Sequence, residues 1–103
     1  MLKINTSNAS GLLKAIKDAI DAKKVETWSY DKDGDFTHEV SQWKNKAWLR
    51  PEIENFNNVL KFRLIPPENT TITKEVNGVF HGRFIEMLFA HFDSKFSGAI
   101  ASV

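Results

Sequence analysis

Between Phe80 and Phe96 the apolar residues fall at helical spacing. Phe80, Phe84, Ile85, Leu88, Phe89, Phe92 and Phe96 recur every three or four positions. At about 100° per residue they fill roughly half of a helix circumference, and His81 and His91 fall inside the same arc. Gly82, Arg83, Glu86, Ala90, Asp93 and Ser94 take the opposite side. One neighbour covers a narrower stripe than this, so the helix is expected to be buried by more than one surface, in its own chain or in a partner. The pattern predicts a helix from Lys74 to Ser94, although Asn77-Gly78 also carries hairpin chemistry.

The rest of the chain alternates between the two periods. Thr6, Ser7 and Asn8 offer N-cap side chains, and Ala9, Leu12, Leu13, Ile16, Ala19 and Ile20 then repeat at three and four. An amphipathic helix follows, ending near Lys23 and Lys24, whose charges suit a helix C-terminus. Val25 to Tyr30 and Asp35 to Val40 read as two strands joined by Asp31-Lys32-Asp33-Gly34, a polar turn. Lys46 to Arg50 is a third strand, expected to stop at Pro51, which has no N–H for a ladder. Asn58 to Ile65 is a fourth, with Leu60, Phe62 and Leu64 facing inward and Lys61 and Arg63 outward, ended by Pro66-Pro67. Ser97 to Val103 is weakly patterned and reads as a frayed tail or a short pairing segment. Helix, strands, helix is an α+β order. The expected architecture is an antiparallel sheet of about four strands with an N-terminal and a C-terminal helix packed on one face.

Composition narrows this picture only a little. The chain has 103 residues, 42% of them hydrophobic, which suits a single domain over 1–103 that holds a core without disulfides or metal. Fourteen Lys and Arg stand against thirteen Asp and Glu, so no overall field favours nucleic acid, an anionic membrane or an acidic substrate. With no cysteine, thiol nucleophiles and cysteine-bound zinc are excluded. No apolar run approaches membrane-spanning length, and Met1 to Asn5 lacks the regions of a signal peptide, so the chain is expected to be cytoplasmic.

Few residue groups carry recognisable chemistry. Asp31-Lys32-Asp33-Gly34-Asp35 offers alternate carboxylates, but an EF-hand loop needs glycine at position six and a bidentate Glu at twelve. Here glycine is fourth and Gln42 is twelfth, so a polar hairpin turn is the better reading. His38, His81 and His91 have no helical metal-ligand spacing. His81 and His91 lie about 15 Å apart along one helix, too far to share an ion, so no metal and no cofactor are expected. No serine sits in a nucleophile elbow, and Arg83 and Glu86 point away from His81. Trp43-Lys44-Asn45-Lys46-Ala47-Trp48-Leu49-Arg50 interleaves two indoles with three cations, the ingredients of a single-strand binding surface.

The segments Glu26-Thr27-Trp28-Ser29-Tyr30-Asp31, Ala47-Trp48-Leu49-Arg50-Pro51 and His81-Gly82-Arg83-Phe84-Ile85-Glu86 give the chain a resemblance to small bacterial proteins of unassigned function. The resemblance covers most of the chain and implies no activity, ligand or catalytic residue.

The expectation is therefore a non-catalytic protein-interaction module that self-associates as a homodimer. Phe89 and Phe96, at the edge of the apolar arc, would form its interface with Phe92 and Ile85. A weak single-stranded nucleic-acid binder using Trp43, Lys44, Lys46, Trp48 and Arg50 is the alternative. A small-molecule or metal-dependent enzyme centred on His38, His81 and Arg83 ranks third.

Overall fold

The computed structural model describes residues 1–103 apart from 55 and 57. Its elements in chain order are β1 (Leu2–Asn5), α1 (Ala9–Asp21), β2 (Trp28–Tyr30), β3 (Phe36–His38), β4 (Trp48–Glu54), β5 (Val59–Ile65), α2 (Lys74–Phe92) and β6 (Gly98–Ala101). Among the described residues six strands form one antiparallel sheet in the order β2-β3-β4-β5-β1-β6. The fold class is thus α+β, and the expected four strands become six. Both additional strands lie near the chain ends. Leu2 pairs with Phe62 of β5 on one side and Ala101 of β6 on the other. Four residues are too few for alternation to declare a strand, so pairing with a distant partner decides it.

Local chemistry sets the helix starts. The Asn8 side chain accepts from the Gly11 N–H at 2.9 Å and caps α1, while Thr73 caps α2 by accepting from the Val76 N–H at 3.2 Å. Each satisfies a donor with no partner in the first turn. Asn77-Gly78 lies within α2, so its hairpin signal is overridden. Pro51 does not end β4, which runs on to Glu54. β3 pairs with β4 only at Phe36↔Leu49, so β4 beyond that point is an edge on the β3 side, where a residue lacking an N–H is tolerated.

The core is one cluster to which both helices and most strands contribute. Phe84 of α2 is fully buried and meets the rings of Trp28, Phe36 and Phe62 at centroid distances of 5.0, 5.8 and 4.6 Å. From α1, Leu12 and Ile16 join the same cluster, Lys17 lies 5.4 Å from the Tyr30 ring centroid, and Asp21 accepts from the Tyr30 hydroxyl at 2.7 Å. On the other side of the β4–β5 pair, Arg63 is bonded to Glu52 and Lys61 to Glu54. The diagonal Arg63–Glu52 pair, together with Asp35 on Arg50, offsets the like charges that the register sets opposite one another at Arg50↔Arg63.

Candidate functional site

Three regions hold the candidate residues. The first is a cleft of about 410 Å³ between the β2–β3 hairpin, the loop that follows it, and α2; Trp28, His38, Trp43, Arg83, Met87 and His91 are among its lining residues. His38 is buried and stacks against Trp28 with ring centroids 4.7 Å apart. Its Nδ1 lies 2.8 Å from the Thr27 carbonyl. A carbonyl only accepts, so Nδ1 carries the proton and Nε2 is the acceptor in the neutral ring. Arg83 pairs with Glu86 at 3.2 Å, with both side chains largely exposed. His91 shares the helical angle of buried residues but stands exposed near the end of α2, over this cleft.

His81 does not join them. It is buried, its Nδ1 donates to the Asn77 carbonyl at 2.7 Å, and the Met1 ammonium lies 3.4 Å from its Nε2. Burial, with the neighbouring ammonium, holds its pKa below the ordinary histidine value. The tertiary fold thus brings His38, Arg83 and His91 to one cleft and sends His81 to the other end of α2. Among the described residues no three histidine, cysteine or carboxylate side chains are grouped as a metal site would require. The carboxylates of the β2–β3 turn are also engaged. Asp31 accepts from the backbone N–H groups of Asp33 and Asp35 at 3.0 Å, while Asp35 is committed to Arg50.

The second region is the tryptophan-rich segment. Its two indoles separate: Trp43 is half-buried against the core, and Trp48 alternates with buried Leu49 to the opposite side of β4. Lys44 pairs with Glu39 at 3.2 Å. Arg50 donates from Nε and Nη2 to the Asp35 carboxylate at 3.0 and 2.8 Å. Lys46 is exposed. A stacking surface needs indoles on one side and cations free for phosphate. Here the indoles diverge, and two of the three cations, Lys44 and Arg50, are engaged by carboxylates.

The third region is the aromatic edge. Phe92 is buried in the chain's own core, Ile85 and Phe96 are half-buried against it, and Phe89 is 57% exposed. The Phe89 and Phe96 rings meet edge to face with centroids 5.2 Å apart. Phe96 stands two residues before β6, and between them Ser97 donates its N–H to the Asn5 carbonyl at 2.8 Å. The aromatic pair therefore stands at the start of the outermost strand. Ile100 of that strand is 61% exposed, a residue that the sequence pattern did not single out. The advance signal was the absence of charged side chains from Ser97 to Val103.

Compared with known proteins, the chain matches no family model, no curated protein and no solved structure. Among the described residues no helix is long and apolar enough to cross a membrane.

Proposed function

We propose that the protein is a cytoplasmic, non-catalytic interaction module that binds protein and associates first with a second copy of itself. In this reading both helices share one sheet face. Support comes from α1 reaching Tyr30 while α2 reaches Phe36, whose positions the β2–β3 register sets directly opposite one another. The observation that carries the reading is the Phe89–Phe96 pair, an edge-to-face aromatic contact with Phe89 still more than half exposed. A phenylalanine buries about 200 Å² when covered, so the exposed 57% of Phe89 amounts to about 110 Å² per chain. At about 25 cal/mol per Å² that is close to 3 kcal/mol per chain.

Analytical ultracentrifugation at tens of micromolar is expected to show a dimer. Phe89→Asp is expected to shift it to monomer with an unchanged circular dichroism spectrum. A wild-type chain that sediments as a monomer across that range overturns the reading. Quenching of indole fluorescence by single-stranded oligonucleotides, sensitive to salt and lost in Trp43→Ala, would put the nucleic-acid reading in its place.

A further inference from the structure

Resting on the self-association reading, we infer that the outer edge of β6 is the dimer seam. Two copies pair β6 with β6 across a two-fold axis centred on Ile100, which makes one continuous antiparallel sheet. The aromatic pair leaves little surplus by itself, because the cost of association is of the same order as what the exposed rings of the two copies return. A second contribution makes the dimer firm, and the sheet edge beside the rings can supply it.

The two edges of the sheet differ. β2 is three residues long and flanked by Glu26 and by Asp31-Lys32-Asp33, the charged surroundings that discourage strand addition. β6, Gly-Ala-Ile-Ala, has no charged side chain and no proline within it or at Ser102 and Val103. Its outward backbone groups follow from the ladder. Met1 and Ser102 exchange hydrogen bonds, the ammonium donating to the Ser102 carbonyl at 3.0 Å and the Ser102 N–H to the Met1 carbonyl at 2.9 Å. Bonded pairs alternate along an antiparallel ladder, so Lys3 and Ile100 form the next one. The N–H and C=O groups of Ala99 and Ala101 then point away from β1, where the sheet has no further strand among the described residues.

That parity restricts how a second copy can pair. Ala99 and Ala101 must meet one another or themselves. With Ala99 opposite the second copy's Ala101, symmetry supplies two bonded pairs and four hydrogen bonds, all inside the strand, and Ile100 faces the second copy's Ile100 directly. Shifting by two residues either way places Ile100 against Gly98 or Ser102 instead. Cross-strand contact between two large apolar residues favours the centred register. The same register brings the second copy's fully exposed Val103 opposite Ser97, next to Phe96. Lys3, the cross-strand neighbour of Ile100, stands three strand spacings from its symmetry mate, about 14 Å. At physiological salt the screening length is about 8 Å, so this repulsion is small.

The absence of cysteine makes the test clean. In the centred register residue 100 occupies a non-hydrogen-bonded site whose Cα atoms are about 4.5 Å apart, within disulfide range. Ile100→Cys under oxidised glutathione is expected to form a covalent dimer, and Ala99→Cys, which faces position 101, is expected to remain largely uncrosslinked. Ala101→Pro removes an N–H that the fold does not use, so it is expected to weaken the dimer roughly tenfold or more while leaving the circular dichroism spectrum unchanged. A wild-type dimer in which Ile100→Cys does not crosslink and Ala101→Pro has no effect overturns the β6 seam and leaves self-association standing. A monomeric wild type overturns both.

Discussion

Replacing Arg50 with alanine tests which parts of the sheet depend on side chains. β4 and β5 share seven register pairs, whereas β3 touches β4 at Phe36↔Leu49 alone. Side chains close the rest of that seam. Arg50 grips Asp35 with two hydrogen bonds, the Thr37 hydroxyl donates to the Ala47 carbonyl at 3.0 Å, and the Asn45 N–H donates to the Thr37 hydroxyl at 3.1 Å. The Asp35 side chain is 8% exposed and the Arg50 side chain 50%, so the pair lies between two regimes. Exposed ion pairs are worth about 0.2–1 kcal/mol, whereas breaking a buried one costs about 3–5 kcal/mol because a charge is left without a partner. Arg50→Ala is expected to cost about 2 kcal/mol, a substantial part of the 5–15 kcal/mol typical of a domain.

Urea unfolding followed by tryptophan fluorescence measures that loss. Amide hydrogen exchange at Phe36, Thr37 and His38 should accelerate more than exchange in β5, because the hairpin is the element released. Asp35→Ala combined with Arg50→Ala should be less destabilised than the sum of the single variants, since the double variant leaves no orphaned carboxylate. A loss below about 0.5 kcal/mol with unchanged exchange in β3 would refute the reasoning. Arg50 would then be a free surface cation, available for other work.

Two further perturbations probe the core and its protons. Phe84→Ala removes the ring shared by Trp28, Phe36 and Phe62 and should cost about 4 kcal/mol by urea unfolding; a loss under about 2 kcal/mol would mean that the core closes without it. His81 has a lowered pKa in the folded chain, so the unfolded chain takes up its proton first. Its contribution to stability should be complete above about pH 6.5, the unfolded value, and be lost as pH falls from there through the lower folded-state pKa. Urea midpoints of wild type minus His81→Gln, measured from pH 8 to pH 5, should fall with pH; a difference that rises toward pH 5 contradicts the assignment.

What could be read along the chain was local. The period of Leu60, Phe62 and Leu64 announced a strand, the spacing of Phe80, Phe84 and Leu88 a helix, and Asn8 stood among the residues offered as a cap for the first helix; the structure bears out each of these, and it adds Thr73 as the cap of the second helix. Such signals arise between residues a few positions apart, where backbone geometry decides which side chains are neighbours. Of the two strands near the chain ends, Leu2–Asn5 was not legible and Gly98–Ala101 was left between a frayed tail and a short pairing segment, because β1 is a strand by virtue of pairing with β5 and β6, and β6 by pairing with β1. The same distinction divides the candidate sites. That Phe89 and Phe96 lie at the rim of an apolar arc follows from helical spacing, but only the packed chain buries Phe92 and leaves Phe89 in solvent. Spacing set His81 and His91 apart; tertiary contact alone brought His38 to the cleft beside Arg83 and His91. Nor does sequence order mark the uncharged segment after Phe96 as a sheet edge, because an edge is defined by which strand is absent beside it, and that depends on the whole topology.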